Sequence, residues 1–313
     1  MLDYYRTLLP RTSNLVSATL ATMALSGTEV AVAAPETIVE VQLVEDIGAA
    51  DRVEAVDRLR TLSQEVPSAA CHLYNSVAVD ESRTLLSEGS DEFDAILDAL
   101  YNGNPAMNII GAETNRKTLA ELDKVKSIWS DIRPAVAAML ANSDDAAAIK
   151  IIKERNMPLY EETNILLSYI SGEYSNPAEL LQADAIMIDI TGRQSMLTQM
   201  MAKDACKIWT GTADDAVVEN LASSLSTFDL ILNALRNGMP EAGVKAAPTP
   251  EIAGVLDGIA VSWSIVKPKL EGILAGNKLN EDQRTKLYTE LNKKMYEFDD
   301  LVHLYTIYAK HQY

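Results

Sequence analysis

The chain repeats itself. Phe93-Asp-Ala-Ile-Leu-Asp-Ala-Leu-Tyr-Asn-Gly-Asn-Pro105 returns as Phe228-Asp-Leu-Ile-Leu-Asn-Ala-Leu-Arg-Asn-Gly-Met-Pro240, identical at nine of thirteen positions and offset by 135 residues. The same offset pairs Leu62 with Leu197, Gln64 with Gln199 and Cys71 with Cys206. After a one-residue gap Trp129 meets Trp263 and Pro134 meets Pro268; Glu154, Asn156, Tyr160 and Tyr169 then meet Glu290, Asn292, Tyr296 and Tyr305. A match of this length fixes the organisation before any motif is considered: one repeat over residues 41–172, a second over 176–311, and a short polar linker from Ser171 to Pro177 between them.

Each repeat reads as four helices. Phe93, Ile96, Leu97 and Leu100 follow the i, i+3, i+4, i+7 spacing of one helix face, as do Phe228, Ile231, Leu232 and Leu235. Asn-Gly-x-Pro then stops both helices, because glycine accepts a left-handed cap and proline cannot continue. The first helix is expected from about Ile47 to Val77. The third runs through Leu122, Val125, Trp129, Ile132, Val136 and Leu140, with Pro134 inside it as an expected kink, and the fourth runs from about Asp144 to Ile170, with Pro158 as a second. With only 14 glycines and 11 prolines in 313 residues, long helices are favoured over many tight turns. The expected fold class is all-α, two tandem up-and-down four-helix bundles.

Residues 1–33 read differently from the rest. Arg6 and Arg11 precede an uncharged stretch from Thr12 to Thr28, and Ala31-Val32-Ala33 offers a small-x-small cleavage site. This is the pattern of a secretory signal peptide, with cleavage expected after Ala33. The expected location is the periplasm. No other stretch approaches the length of a membrane span, so direct membrane insertion is not expected. A formal charge of −18 without any basic run argues against nucleic acid as a partner.

The segment Ile190 to Lys203 stands out. Ile186, Ile190, Leu197, Met201 and Ile208 would form its buried face, and Arg193 and Gln194 fall on that same face. An unpartnered buried guanidinium is costly. Arg193 is therefore paired with a carboxylate, snorkelling outward, or open to an anionic ligand.

Gly192-Arg-Gln-Ser-Met-Leu-Thr-Gln-Met-Met-Ala-Lys203 resembles the Gly-Arg-Gln-Arg-Met-Leu-Ser-Gln-Arg-Met-Ala-Lys signature of the PilJ-type sensory domain, the N-terminal domain of type IV pili methyl-accepting chemotaxis transducers, related to NarX-type nitrate and nitrite sensors. Asn156 to Tyr169 resembles that domain's closing helix, and Asn292 to Tyr305 repeats it. The resemblance therefore spans both repeats. It implies a sensor, with Arg193, Gln194 and Gln199 holding a small anionic or polar ligand such as nitrate or nitrite. It also implies action through a membrane receptor or signalling partner. Ser195 and Met200 stand where the family has arginines. In repeat one the matching stretch is Asp57-Arg58-Leu59-Arg60-Thr61-Leu62-Ser63-Gln64; Arg58 and Gln64 are retained, and the resemblance makes them further candidate ligand residues, but the first glutamine is lost, so this copy reads more as scaffold. The competing expectation is a non-catalytic interaction protein of a pilus, chemotaxis or envelope system with no small ligand.

The remaining chemistry-bearing residues are few. Cys71 and Cys206 occupy equivalent positions. They form a disulfide if the bundles pack about a pseudo-twofold axis, or remain two buried thiols if the bundles lie end to end. His72, His303 and His311 show no zinc-ligand spacing and read as surface or edge residues. The Asp and Glu residues are spread over all helices and read as solvated faces. Trp129 and Trp263 read as core, with ligand stacking as the alternative. No phosphate loop, nucleophile elbow or paired-acid signature occurs, so no catalytic residue, metal or cofactor is expected.

Overall fold

The computed structural model describes residues 48–174 and 182–310. The expected signal peptide and part of the linker lie outside these residues. Eight α-helices are found among them: α1 Ala49–Tyr74, α2 Val79–Asn102, α3 Arg116–Ala141, α4 Ala146–Tyr174, α5 Gln182–Trp209, α6 Asp215–Asn237, α7 Pro250–Leu274 and α8 Glu281–Lys310. No strand is present among the described residues; the two isolated β-bridges, Asn104 with Ile109 and Met239 with Val244, are again repeat equivalents. The fold is all-α, with two helical bundles.

Helix boundaries follow local chemistry. Asp214 and Thr249 cap α6 and α7 by accepting from Val217 N and Ile252 N, and Asn115 caps α3. Both Asn-Gly-x-Pro stops hold, although not as a left-handed cap. Gly103 and Gly238 combine φ 79° with ψ 152° and 156°, an extended positive-φ conformation open to glycine, and each turns the chain into a short 3₁₀ turn at the following proline. The helix of repeat one extends to Tyr174, so the stretch from Ser171 belongs to α4 and the link begins later than its polarity suggests. Helices α3 and α4 continue through Pro134 and Pro158, as α1 does through Pro67 and α7 through Pro268.

Within each repeat the second and third helices are locked in the same way. Trp129 stacks on Phe93 with ring centroids 4.0 Å apart and donates Nε1 to Asp94 at 2.6 Å; Trp263 lies 4.0 Å from Phe228 and donates to Asp229 at 2.7 Å. Arg133 and Lys267, one turn further on, engage the same two aspartates. Both indoles are at most 4% exposed, so this position is core.

The bundles lie side by side along α1 and α5. These helices run parallel and in register: Cys71 is bonded to Cys206 across a Cα separation of 6.4 Å, and Asp57 lies against Gly192, each pair spaced by the repeat offset. A residue that meets its own equivalent in a parallel neighbour lies near a pseudo-twofold axis along the two helices. The central position has a consequence for burial. Twenty-two of the 26 residues of α1 are buried, including Arg52, Asp57, Arg60, Gln64, Glu65 and His72. The seam between the bundles is therefore polar as well as apolar.

Candidate functional site

The seam can be followed along α1 toward its C-terminus. At the first level, Arg60 donates to Asp57 on its own helix and, through Nη1 at 2.7 Å, to Asp189 of α5. A Cβ on Gly192 would lie 1.3 Å from Asp57 Oδ2, so glycine at this signature position admits the carboxylate of the other repeat. Burial pushes the Asp57 carboxyl up to about 7, against the pull of Arg60.

At the same height, facing α2 and α8, Arg58 is surrounded by acids. Nε and Nη2 make a two-pronged pair with Glu92 at 3.0 and 2.7 Å. Nη1 lies 2.8 Å from Glu65 Oε2 and 3.4 Å from Asp299 Oδ2. Burial raises Glu65 to about 7 and Asp299 to about 6, with Arg58 opposing in both cases.

The next level joins the repeats through one cation. Lys203 of α5, fully buried, donates to Gln64 Oε1 at 2.6 Å and to Asn156 Oδ1 at 2.9 Å, both in repeat one. Burial brings its ammonium down to about 8. The repeat-one equivalent of Lys203 is Ser68, too short to reciprocate. In repeat two, accordingly, Gln199 bonds Asn292 directly at 2.9 Å, and Asn292 Nδ2 turns to Glu81 of α2.

The seam ends in an aromatic group below the disulfide. His72 stacks on Tyr288 with centroids 3.6 Å apart and meets Trp209 edge-on; Arg284 caps the Trp209 ring. His72 is fully buried, and desolvation lowers it to about 4. Its expected surface position is thus incorrect: α1 is central, so no side of it at this level reaches water. His303 is at the surface beside Glu54, and His311 lies outside the described residues.

The expected ligand residues are not gathered around one opening. Arg193 is on the exposed side of α5, its side chain 45% accessible and 4.0 Å from Asp189. The expected buried face holds at Leu197 and Met201 but not at its start: Ile186, Ile190 and Arg193 line the open edge, whereas Met187, Ile188, Thr191, Gln194, Ser195 and Thr198 face inward. Of the three readings for Arg193, snorkelling outward describes its placement. Gln194 is buried and donates to Phe228 O at 3.0 Å. Gln199 and Gln64 are engaged by Asn292 and Lys203 as described, and Arg58 is enclosed by carboxylates. The expectation that acids form solvated faces fails for Asp57, Glu65, Glu121, Asp184 and Asp204, all buried. Sequence reasoning missed Asp57, Arg60, Glu65, Glu92, Lys203 and Asp299 as site residues. The available signal was the density of charge inside α1 and α5, helices that also carry the duplicated Gln64 and Gln199.

Two surface depressions lie elsewhere, on repeat one: one around Pro134, Ile151 and Arg155, the other around Tyr101, Trp129 and Arg133. Both are shallow and open. No helix among the described residues is long and apolar enough to cross a membrane, and no group of three or more His, Cys, Asp or Glu side chains suited to a metal ion occurs among them.

The family model described as type IV pili methyl-accepting chemotaxis transducer N-term (PilJ) matches residues 45–153 and again 179–289, once in each repeat. No curated protein matches the chain.

Proposed function

We propose a function from one premise: this chain belongs to the PilJ family of type IV pili methyl-accepting chemotaxis transducer N-terminal domains. Its domains are of the sensory type. In our reading this member is a non-catalytic signalling module that acts through a protein partner and takes no small anion into its seam. The working unit is the pair of repeats, residues 41–172 and 176–311, because the seam draws side chains from both. The module is exported to the periplasm, with cleavage after Ala33, a reading that rests on the sequence of the first 33 residues.

One observation carries the choice between partner and anion. Arg58, on the segment that aligns with the family's ligand-binding stretch, already has Glu65, Glu92 and Asp299 as counter-ions. A nitrate-sized anion would have to displace a bidentate carboxylate and leave buried negative charge unpaired, which is strongly unfavourable. The amide nitrogens of Gln194 and Gln199, the donors an anion would need, are spent on Phe228 O and Asn292, and Gln64 Oε1 accepts from Lys203. Arg193 supports the partner reading: an exposed guanidinium beside the seam suits a carboxylate on another protein. That exposure also favours the second reading, an anion sensor built on Arg193, Gln194 and Gln199.

A thermal-shift titration of the mature protein with nitrate, nitrite and other small anions separates the two. A ligand that binds only the folded state raises apparent stability with concentration. No saturable rise is expected. A saturable rise that disappears in Arg193→Ala would establish the anion sensor instead.

A further inference from the structure

The charge count around Arg58 does not close. Its guanidinium faces Glu65 from α1, Glu92 from α2 and Asp299 from α8, so three carboxylates share one cation. Asp57 of α1 also faces Asp299, and the cation beside it, Arg60, is taken up by Asp57 and Asp189. Glu88 of α2, and Tyr296 and Asp300 of α8, are acidic or neutral. From α5 comes the Ser195 hydroxyl, which donates to Met295 O and lies beside Asp299. The nearest lysines of α8, Lys293 and Lys294, are paired with Glu297.

A second observation points to what is missing. Glu65 is 2% exposed, and its Oε2 accepts no hydrogen bond although it lies 2.8 Å from Arg58 Nη1. Asp299 Oδ2 is buried too, 3.4 Å from Arg58 Nη1 and beside a Ser195 hydroxyl that donates to Met295 O. In a buried cluster with surplus negative charge, protonating one carboxyl on an oxygen turned away from the guanidinium costs less than leaving three buried charges to one cation.

We propose that the Arg58 cluster is a proton-binding site at the junction of the two repeats, with one proton shared between Glu65 and Asp299. Release of that proton adds a buried negative charge between α1 and α2 of repeat one and α8 of repeat two. The repulsion loosens the contact of α8 with repeat one, so the junction is tight at acid pH and weakened at alkaline pH. This inference rests on the charge count and does not depend on the partner reading above.

The direction of the pH effect follows from linkage. Glu65 is raised to about 7 and Asp299 to about 6 in the folded protein, above the ordinary carboxylate range. The folded state therefore holds protons that the unfolded chain has released, and stability falls as pH rises from that range to about 7. The test compares full-length wild type with Glu65→Gln, which keeps the shape and removes the charge. Melting temperature is followed by circular dichroism from pH 5 to 8. Glu65→Gln is expected to melt above wild type at pH 8 and to show a flatter decline between pH 5 and 7. At pH 6 the infrared carbonyl band of neutral carboxylic acid should be weaker in the variant than in wild type. If Glu65→Gln does not fold, Asp299→Asn, at the edge of the cluster, takes its place with the same expectations. A variant that melts below wild type at both pH values, with an unchanged slope and an unchanged carbonyl band, overturns the proposal.

Discussion

Arg58 and Arg193 occupy the same position in the two repeats, yet one is walled in by three carboxylates and the other is open to solvent. The difference comes from their neighbours. Repeat one supplies Glu65 and Glu92, and repeat two supplies Asp299; the equivalents of Glu65 and Glu92 in repeat two are Met200 and Thr227, and the equivalent of Asp299 in repeat one is Thr163. Duplicated backbones can thus hold one arginine as an internal counter-ion and release the other. The better-preserved signature belongs to the repeat whose arginine is exposed, so similarity to a motif and engagement in the fold are separate properties.

The largest expected effect tests that contrast directly. Arg58→Ala strands buried carboxylates and should cost about 3–5 kcal/mol, whereas Arg193→Ala should stay within about 0.5 kcal/mol. Urea unfolding of both variants measures it; equal losses would mean that the two positions are not different in kind. Next comes the covalent link. The Cys71–Cys206 bridge closes a loop spanning 135 residues, and Cys71→Ala with Cys206→Ala should cost about 2–4 kcal/mol, chiefly through a freer unfolded chain. A loss near zero would show that the bundles hold together without it.

His72 sharpens the comparison by pH. Its equivalent is Lys207, which is partly exposed, while His72 is buried neutral at about 4. The unfolded chain takes up a proton below about 6.5 that the folded protein refuses, so this residue's contribution is lost as pH falls, by about 2 kcal/mol at pH 5. His72→Phe should gain stability relative to wild type between pH 6.5 and 5, and a constant difference across that range would count against a buried neutral imidazole. The smallest effect concerns what the repeats share. Trp129→Phe and Trp263→Phe each delete one indole hydrogen bond to an aspartate and should cost about 1 kcal/mol each. Markedly unequal costs would show that the Trp–Asp lock has diverged as the arginines have.

Helices α2, α3, α6 and α7 were legible because each has one wet face. Periodicity located Phe93 and Phe228, and Asn-Gly-x-Pro located their ends. Helices α1 and α5 were legible as helices but not in orientation. Flanked by neighbours on nearly every side, α1 has almost no solvent face to set the phase of its pattern, and its buried set mixes Leu59 and Leu62 with Asp57, Arg60 and Glu65. Reading α5 from Ile186 and Ile190, which are only partly buried, therefore placed Arg193 on the wrong side.

The duplication, the helical class and the family are properties of the sequence alone, because repeat spacing and the 3.6-residue period survive without knowledge of any contact. The parallel register of α1 with α5 decided the rest. It put Gly192 against Asp57, Lys203 against Gln64 and Asn156, and Cys71 against Cys206. Which polar side chains turn inward is set by the partners available across that seam, since a buried charge is stable only where a counter-charge or hydrogen-bonding group meets it, and those partners are separated by 47 to 241 residues along the chain.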